Sequence, residues 1–518
     1  MTKVTKAAYW ILCMALTTMT AFSIVYARDT VNLPKTGQTT CYDVVGTIVP
    51  CAGTGQDGET QEGMAWPNPR FTITYCDAYG PCATQESDCD CDGNASDDVV
   101  TDSLTGLMWA RNGNFTGNEY NPWKQALEDI ASFNRIGGLC GYTDWRLPNV
   151  NELESLINAQ EPNTAEWLNS QGFIGVQPDF YWSSTAHAQF EEPAWVVSMV
   201  DGTVNNGANT NYRYAWQVRS GQRNNPDARH PANLWKTGQT KTYASGDDGD
   251  FKMGVKWPSP RFKDYGDGAV TDNLTGLMWT KDANAPGPVA CNPGISKTWL
   301  EALDYVACLN ANHYLGFDDW RLPDRKEYFS LMDRSKYNPA LHGGHPFFNL
   351  QFQFPYYSST TAADYEDAAW TVYLVDGTMN LNYKPYIRHV WPLRGKSGPD
   401  LTGSWISLDQ TCKQINKNQK CFLFGSLKIT NNGGQDASSA NLKLYISEDG
   451  VYDGRDTFLR QSTTGKIKAG ESKTKKLNHS LPLGEKASGK YIIAVIDEDH
   501  IFPELDGGNN TIVFGPIP

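Results

Sequence analysis

The sequence predicts an α+β fold for two tandem modules and an all-β sandwich for the C-terminal part of the chain. Three observations support this prediction. Several motifs occur twice in the same order, and in each copy a helical spacing of apolar residues precedes hairpin-like stretches. From residue 398 onward, only short alternating stretches separated by turn residues remain. A chain of 518 residues is also too long for one core, so several domains are expected.

The first 27 residues have the pattern of an export signal. Lys3 and Lys6 precede an apolar run that starts at Ala7 and ends at Val25, and the pattern closes at Ala27. We therefore assign 1–27 to a signal peptide that is cleaved after Ala27. The alternative is an uncleaved anchor, because the run is close to the roughly 20 residues of a spanning helix. No later stretch is long and apolar enough to span a bilayer, so we expect no membrane span after signal removal.

Six motifs recur in order and define the two modules. The pairs are LPKTGQT at 33–39 and LWKTGQT at 234–240, WPNPRF at 66–71 and WPSPRF at 257–262, TDSLTGLMW at 101–109 and TDNLTGLMW at 271–279, DWRLP at 144–148 and 319–323, SST at 183–185 and 358–360, and VDGT at 200–203 and 375–378. The last three pairs share one separation of 175 residues, whereas the first three differ. Insertions therefore collect in the first half of each module. We place the modules at 28–227 and 228–397.

Each module is predicted to contain two helices around the DWRLP motif. Trp123, Leu127 and Ile130 follow helical spacing before the first DWRLP, and the run from Trp299 to Asn310 does so before the second. After the motif, Asn149 in copy one and Asp324 in copy two are suitable N-caps for a second helix.

A β-hairpin is predicted after the helices of each module. The stretch from Trp195 to Val200 ends at Asp201-Gly202, and the stretch from Trp370 to Val375 ends at Asp376-Gly377. An Asp-Gly pair after an apolar strand favours a tight hairpin turn. Two helices followed by hairpins make an α+β module.

The C-terminal region, residues 398–518, lacks the repeat. Alternating stretches at 428–430, 442–446 and 491–496, separated by Gly, Asn and Ser turns, predict a small immunoglobulin-like all-β sandwich. The segment from Gly395 to Pro399 is the predicted linker.

Removing Cys13 with the signal leaves eleven cysteines, and export favours disulfides over metal ligation for them. Cys291 with Cys308 and Cys412 with Cys421 are the expected local pairs, since each pair is alone in its region. The other seven cysteines lie between residues 41 and 140. Because seven is odd, we expect one thiol that is free or pairs with another chain.

The negative charge of the chain belongs to the first module. Residues 28–227 hold 10 Lys+Arg against 26 Asp+Glu, while 228–397 hold 18 of each and 398–518 hold 14 of each. Nucleic-acid binding normally requires a basic patch on the binding domain. We therefore expect no nucleic-acid partner.

The motifs resemble a known adhesin family. TDxLTGLMW, a Trp-led helix, DWRLP followed by Glu152, a YWSST-like block and a closing VRSG are similar to the C-terminal domain of the Legionella collagen-like adhesin, Lcl. Copy two departs from this pattern, with Tyr356-Tyr357 in place of Tyr181-Trp182. The resemblance implies adhesion through glycosaminoglycan-like polysaccharides.

Two further resemblances concern the fold. WRLP followed by a glutamate and a helix, with a closing arginine strand, resembles formylglycine-generating enzymes, which implies a C-type-lectin-like fold for both modules. Residues 445–459 and 496–510 resemble the bacterial cell-adhesion-related domain, CARDB. Fold resemblance alone does not establish function.

The sequence gives no pattern that favours catalysis. Copper chemistry of the formylglycine type needs paired thiols, and neither 147–220 nor 322–395 contains a cysteine. His187 lies near Ser183-Ser184, but we interpret it as a satisfied surface histidine. His342 and His345 alone are weak evidence for a metal site. The protein is predicted not to be an enzyme.

Calcium is the one cofactor that the sequence suggests, because hard cations prefer several oxygen ligands on a glycine-containing turn. The alternative is that these acids are solvated turn residues. The candidate ligands are Asp88, Asp90, Asp92, Asp264, Asp267, Asp449, Asp453 and Asp456.

Exposed tyrosines after each hairpin are the predicted ligand contacts. Tyr212 and Tyr214 in copy one, and Tyr383 and Tyr386 in copy two, lie in Gly/Asn-rich stretches. In copy two, Lys384 and Arg388 are the predicted contacts for an anion. The Trp-Arg pairs at 145–146 and 320–321 are interpreted as structural instead.

These features predict a secreted or cell-surface protein that binds a ligand without catalysis. The expected ligand is a polysaccharide or an extracellular matrix component. The alternative is a structural component of a surface layer, whose modules bind other surface proteins. The oligomeric state does not follow from the sequence.

Overall fold

The computed structural model describes residues 31–77, 80–81, 97–114, 121–189, 193–208, 212–220, 230, 232–396, 398–498, 504 and 507–517. Within these ranges, no helix is long and apolar enough to cross a membrane. The elements of copy one are β1 (Cys41–Tyr42), β2 (Ile48–Val49), α1 (Asp57–Thr60), β3 (Phe71–Thr74), β4 (Cys76–Asp77), β5 (Gly80–Pro81), β6 (Val99–Asp102), β7 (Leu107–Ala110), α2 (Trp123–Arg135), α3 (Val150–Glu154), α4 (Thr164–Ser170), β8 (Phe180–Ala186), β9 (Pro193–Ser198), β10 (Val204–Ala208) and β11 (Val218–Ser220).

Copy two and the C-terminal region follow. Copy two contains α5 (Asp248–Phe251), β12 (Phe262–Asp264), β13 (Ala269–Asp272), β14 (Met278–Thr280), α6 (Trp299–Ala311), α7 (Arg325–Leu331), β15 (Tyr356–Thr361), β16 (Ala368–Val372), β17 (Met379–Tyr383) and β18 (Leu393–Arg394), with 3-10 turns at Val289–Cys291 and Tyr314–Gly316. The C-terminal strands are β19 (Leu401–Ile415), β20 (Asn418–Asn431), β21 (Asn441–Ser447), β22 (Thr457–Thr463), β23 (Ser472–Ser480), β24 (Tyr491–Ile496) and β25 (Thr511–Phe514), with a 3-10 turn at Gly507–Asn509.

The predicted helices and their caps are confirmed. Helix α2 begins at Trp123 and α6 at Trp299, and each buries its apolar side. The side chain of Asn149 accepts a hydrogen bond from the backbone of Glu152, while the Glu152 carboxylate accepts one from the backbone of Asn149. Asp324 forms the same capping box at α7. These caps fix the start of each second helix because they satisfy amides that have no partner within the helix.

The Trp-Arg pairs have the structural role predicted for them. Trp145 and Trp320 are fully buried, and the indole of Trp145 donates to a backbone carbonyl. The guanidinium of Arg146 makes two 2.6 Å hydrogen bonds to Glu152. Arg321 pairs with Glu327 in the same way. Each arginine therefore ties the WRLP turn to the first turn of the following helix.

The two predicted hairpins join into one sheet across the modules. Strands β8, β9 and β10 form one half and β15, β16 and β17 the other, in the order β15-β16-β17-β10-β9-β8. The halves meet at an antiparallel contact between Val204 and Met379. Each module also has a four-stranded sheet of its own, β11-β7-β6-β3 in copy one and β12-β13-β14-β18 in copy two. The repeat thus forms one continuous unit with the two hairpins at its centre.

The leading segments of the modules cross between the copies. Gln38 of copy one exchanges two hydrogen bonds with the backbone of Thr361 in copy two, at 2.8 and 3.0 Å. Asp57, at the start of α1, accepts a 2.7 Å hydrogen bond from Thr360. In the opposite direction, Gln239 and Asp248 of copy two bind Ala186 and Thr185 of copy one, at 2.7 and 2.9 Å.

Each leading segment therefore binds a strand of the other copy, namely the strand that contains the SST motif of that other copy. We call these segments, residues 31–64 and 232–255, the crossing arms.

A buried charge cluster lies between the modules. Glu154 at the end of α3 lies 3.2 Å from the ammonium of Lys326 and 3.5 Å from the guanidinium of Arg325, both on α7. All three side chains are almost completely buried. The guanidinium of Arg325 also lies 4.0 Å from the ring centre of Trp370. This cluster couples the second helices of the two copies.

The C-terminal region is a β-sandwich, as predicted. Its sheets are β19-β20-β23 and β22-β21-β24-β25, and they enclose a separate hydrophobic core. The sandwich contacts the modules through Gln435, whose amide donates to the carbonyls of Val31 and Thr275 at 2.5 and 3.2 Å. It therefore docks on copy two and on the start of the first crossing arm.

Four disulfides lie within the described ranges. Cys291–Cys308 and Cys412–Cys421 confirm the two expected local pairs. Cys41–Cys51 and Cys76–Cys140 are in the first module. Cys82, Cys89 and Cys91 lie outside the described residues, so the prediction of an odd cysteine stays open.

Candidate functional site

Two of the predicted tyrosines form an exposed pair on copy two. Tyr383 is 48% exposed and Tyr386 is 54% exposed. Their ring centres are 5.8 Å apart, with an interplanar angle of 78°. Edge-to-face rings of this kind stabilise each other while leaving aromatic surface open to a ligand. We call Tyr383 and Tyr386 the tyrosine pair.

Backbone hydrogen bonds hold the tyrosine pair in position. The buried hydroxyl of Tyr357 donates to the carbonyl of Tyr383 at 2.6 Å and lies 2.9 Å from the carbonyl of Tyr386. The guanidinium of Arg388 donates to the side chain of Asn382 at 2.8 Å and lies 5.3 Å from the ring centre of Tyr386. The backbone that carries the pair is therefore held in place, which lowers the conformational freedom that binding would cost.

Lys384 is not the anion contact that the sequence suggested. Its side chain is fully buried, and its ammonium donates to the carbonyls of Asp43 and Glu366 at 2.9 and 2.7 Å. The ammonium also lies 4.3 Å from the ring centre of Trp299. Burial lowers the pKa of Lys384 to about 8. The prediction failed because Asp43, which is 341 residues away in sequence, covers this side chain.

Among its described residues, copy one does not repeat the exposed pair. Tyr214 is only 6% exposed, because its ring stacks on Tyr181 at 5.5 Å, so its predicted exposure was wrong. Tyr212 is exposed, as predicted. Its neighbour Arg213 lies over the ring of Phe180 at 5.5 Å. An exposed aromatic pair held by a tyrosine hydroxyl is therefore a feature of copy two.

A cleft of about 640 Å³ lies beside Lys384, between the β1–β2 hairpin and helix α6. We call it the hairpin cleft. It is lined by Tyr42, Asp43, Val44, Val49, Gly53, Thr54, Gly55, Gln56, Glu59, Thr60, Trp299, Leu300, Leu303, Asp304, Val306, Ala307, Asn310, Asp319, Trp320 and Arg321. No motif predicts this cleft, because one wall comes from the start of copy one and the other from the middle of copy two. The only local signal is the close spacing of Cys41 and Cys51, which indicates a short closed hairpin.

The polar groups of the hairpin cleft are largely bound within the protein. Arg321 is paired with Glu327. Asp319 is paired with Arg394 at 2.6 Å. Glu59 accepts a 2.7 Å hydrogen bond from the backbone of Gly55. Aromatic and aliphatic side chains, among them Tyr42, Trp299 and Leu303, line much of the rest of the cleft, which favours a ligand with an apolar face.

Ser183 and the nearby His187 are both engaged in structural contacts. The Ser183 hydroxyl donates to the carbonyl of Trp195 at 2.8 Å. His187 is buried beside the Trp195 ring at 5.3 Å and accepts a weak bond from the backbone of Gln189, so the expectation of a surface histidine was wrong. Burial lowers the pKa of His187. Its position suits packing rather than proton transfer.

The predicted calcium ligands of copy two do not converge. Asp264 pairs with Lys281 at 2.7 Å, and Asp267 accepts a hydrogen bond from the backbone of Ala269. In the described part of the chain, no group of three or more His, Cys, Asp or Glu residues is arranged to hold a metal ion. Asp88, Asp90 and Asp92 lie outside the described residues.

The acidic turn of the sandwich holds an arginine instead. The guanidinium of Arg455 lies 3.2 Å from Asp449 and 2.5 Å from Asp453. Asp456 accepts a hydrogen bond from the backbone of Asp453 at 3.0 Å. A calcium ion at this turn would have to displace the guanidinium.

Family comparisons identify the repeated and the C-terminal parts. Residues 98–219 and 268–394 each match the Lcl C-terminal domain. Residues 399–514 match the CARDB domain. Among curated proteins, no sequence matches this chain significantly.

Each of the following solved structures matches less than a quarter of this chain. A crystal structure of a CARDB domain from Pyrococcus furiosus, in complex with di-metal ions, is 22% identical over 23% of this chain and 85% of its own, with a TM-score of 0.16. A solution structure of the same domain is 23% identical over 23% of this chain and 92% of its own, with a TM-score of 0.16. A β-glucosidase from Kluyveromyces marxianus is 13% identical over 19% of this chain and 12% of its own, with a TM-score of 0.14.

Proposed function

Because this chain carries two tandem Lcl C-terminal domains followed by a CARDB domain, we propose that it is a non-enzymatic adhesion protein of the cell surface. In this proposal, copy two recognises a polysaccharide or an extracellular matrix ligand through the tyrosine pair and the adjoining hairpin cleft. Copy one and the sandwich support this face. The domain types and the disulfides both suit an extracellular location.

The observation that carries this proposal is the exposed tyrosine pair on a hydrogen-bonded backbone. Sugar rings present apolar C–H faces that pack on aromatic side chains, and tyrosine adds a hydroxyl for hydrogen bonding. The Tyr357 hydroxyl fixes the backbone beneath both rings. Arg388 lies beside them and is partly exposed. A saccharide with a carboxylate or hydroxyl edge would find both kinds of contact.

A glycan array with the full chain tests the proposal. We expect glycan binding by the wild type and its loss in the Tyr383→Ala/Tyr386→Ala variant. Tyr212→Ala is the matched control, since it removes an exposed tyrosine from copy one. If the double variant keeps full binding while Tyr212→Ala loses it, the site is in copy one and the proposal is wrong. A wild type that binds no glycan or matrix protein would also overturn it.

A structural role in a surface layer is the second candidate. Large apolar side chains are exposed beside the hairpin cleft, among them Val45, Ile48 and Leu300. Exposed apolar surface of this kind often contacts another protein chain. Sedimentation of the wild type and of the Ile48→Ser/Leu300→Ser variant tests it. Self-association that the variant abolishes would favour this candidate over saccharide binding.

The fold type and the export route belong to the same proposal. We propose that both modules have C-type-lectin-like topology, supported by the WRLP turn, the capped helix and the closing arginine strand. We also propose export through residues 1–27. A mature N-terminus at Arg28 in the secreted protein would support this route.

Calcium at Asp449, Asp453 and Asp456 stays a prediction. Calorimetry with calcium, compared with a chelator control, tests it. Binding should strengthen in the Arg455→Gln variant if the guanidinium competes with the ion, and an absence of heat in both proteins would remove calcium from this turn.

A further inference from the structure

A second cavity, of about 480 Å³, lies on copy two, between its crossing arm and the segment after α7. We call it the lysine pocket. It is distinct from the hairpin cleft, since none of its lining residues is shared with that cleft. Its basic and aromatic lining residues are Lys236, Lys252, Lys256, Trp257, Lys336 and His342.

The lysine pocket has a strong excess of positive charge. Its four lysines form no ion pair within the described part of the chain, and three of them are exposed. Asp333 is the one carboxylate among the lining residues. It is buried and already bound by the backbone and hydroxyl of Ser335, at 2.9 and 2.6 Å, and by His342 at 3.6 Å. The lysines are therefore left to attract anions from solution.

The floor of the lysine pocket is rigid. Gly238 has a φ of +98°, and a Cβ atom there would lie 2.2 Å from Asp333 and 2.9 Å from the Trp257 ring, so only glycine fits. The guanidinium of Arg261 stacks on Trp257 at 4.4 Å. Arg261 is itself held by a buried pair with Asp272 at 3.1 Å. The tryptophan thus has a fixed orientation beneath the lysines.

The same floor exists in copy one. Gly37 would place a Cβ atom 2.2 Å from Asn158 and 2.9 Å from Trp66. Arg70 stacks on Trp66 at 4.5 Å and pairs with Asp102 at 2.9 Å. The duplicated module therefore provides an internal reference for the lysine pocket.

The residues that lie above this tryptophan differ in the two copies. In copy one, Trp167 on α4 packs against Trp66, with ring centres 5.7 Å apart. In copy two, the smaller His342 packs against Trp257 at 5.2 Å. The lysines also differ, because the motif alignment places Gln61 and Ala65 opposite Lys252 and Lys256, and Glu161 opposite Lys336. At this pocket, copy two therefore has a histidine where copy one has a tryptophan, and it has three lysines where copy one has none.

A purely structural role does not account for this combination. Four lysines that line one pocket repel one another at low ionic strength, and a bound anion would relieve that repulsion. We infer that the lysine pocket binds a compact ligand bearing two or more oxyanion groups, such as sulfates, phosphates or carboxylates. The lysine ammoniums contact the oxyanions, and Trp257 and His342 contact the body of the ligand. This inference deepens the proposed function, on which it rests, by assigning it a separate anion-binding subsite.

Calorimetry with the full chain tests the inference. The probes are a disulfated disaccharide, fructose 1,6-bisphosphate, a diuronate disaccharide and neutral lactose. We expect at least one anionic probe to bind, lactose not to bind, and affinity to fall when ionic strength rises from about 20 to about 500 mM, since salt screens exposed charges. The ranking of the three anionic probes identifies the oxyanion.

Two variants separate the lysine pocket from the general charge of the chain. Lys252→Gln/Lys256→Gln removes two exposed charges and should weaken anion binding by about tenfold or more, which is about 1.4 kcal/mol. His342→Trp introduces the residue of copy one and should block the pocket. Lys124→Gln, an exposed lysine of copy one, is the control and should change nothing.

Circular dichroism of each variant confirms that it is folded. The inference is overturned if no anionic probe binds at low salt, or if both pocket variants bind as the wild type does. Glycan-array binding that depends on Tyr383 and Tyr386 but not on these lysines would leave the proposed function intact while rejecting this subsite.

Discussion

At the scale of single residues, the duplication has placed charge where one would expect an apolar core. Glu154 on α3 pairs with Arg325 and Lys326 on α7, and all three are almost completely buried. The motif alignment places Val150 opposite Arg325 and Asn151 opposite Lys326. The two copies have therefore diverged into complementary partners at their contact.

Removing one member of this cluster should be costly. In Glu154→Gln, Arg325 and Lys326 remain buried without a carboxylate, which typically destabilises a protein by about 3–5 kcal/mol. We expect a lower urea midpoint for the modules, measured by tryptophan fluorescence. Glu128→Gln, an exposed glutamate on α2, is the control and should stay within about 0.5 kcal/mol of the wild type. Equal midpoints for the two variants would contradict the proposed role of Glu154.

Residue roles were predictable from the sequence only where the partner is close in the chain. The caps at Asn149 and Asp324 follow from a residue three positions later, and both are confirmed. The buried role of Lys384 could not be predicted, because the carbonyls that bind its ammonium belong to Asp43 and Glu366. The predicted exposure of Tyr214 was wrong for the same reason, since the ring that stacks on it belongs to Tyr181.

At the scale of elements, the β1–β2 hairpin is the most distinctive addition to the repeat. The Cys41–Cys51 disulfide closes it, and Lys384 attaches it to copy two. It forms one wall of the hairpin cleft. The helices and hairpins of the modules follow from local periodicity, whereas the docking of this hairpin does not, because no local pattern records a contact across more than 300 residues.

Removing the Cys41–Cys51 disulfide should loosen the hairpin without unfolding the modules. In Cys41→Ser/Cys51→Ser, the free energy of opening residues 41–51 should fall by up to about 3 kcal/mol, because a short closed loop loses its cross-link. Hydrogen exchange of amides 41–51 should accelerate while amides of α2 stay protected. Cys412→Ser/Cys421→Ser is the control and should leave amides 41–51 unchanged. Uniformly faster exchange across copy two would contradict a local role.

At the scale of the whole molecule, the crossing arms make the two modules interdependent. Each arm carries a buried carboxylate that accepts hydrogen bonds from threonine hydroxyls, Asp57 from Thr36 and Thr360 and Asp248 from Thr237 and Thr185. The repeat alone predicts two similar units, but not that each arm docks on the other copy. Their relative placement depends on contacts such as Val204 with Met379, which no motif encodes.

The arm carboxylates should make stability depend on pH. Burial raises the pKa of Asp57 and of Asp248 to about 6. The unfolded value is about 3.9, so the fold favours the protonated carboxyl. The contribution of the two carboxyls to the free energy of unfolding is therefore complete below about pH 4 and is lost as the pH rises through about 6. Each carboxyl accounts for about 3 kcal/mol across this window.

Substitution by asparagine isolates this effect from other titrating groups. Burial lowers the pKa of His187 and His389, which makes the fold less stable as pH falls and so opposes the carboxyl effect. Asp57→Asn/Asp248→Asn keeps an oxygen acceptor for the threonine hydroxyls and carries no charge at any pH. We expect this variant to be more stable than the wild type at pH 7.5 and nearly equal to it at pH 4, in urea titrations at both values. Asp318→Asn, an exposed carboxyl, is the control and should show no such difference. A double variant less stable than the wild type at pH 7.5 would contradict this expectation. It would show that the charged forms of Asp57 and Asp248 stabilise the docked arms.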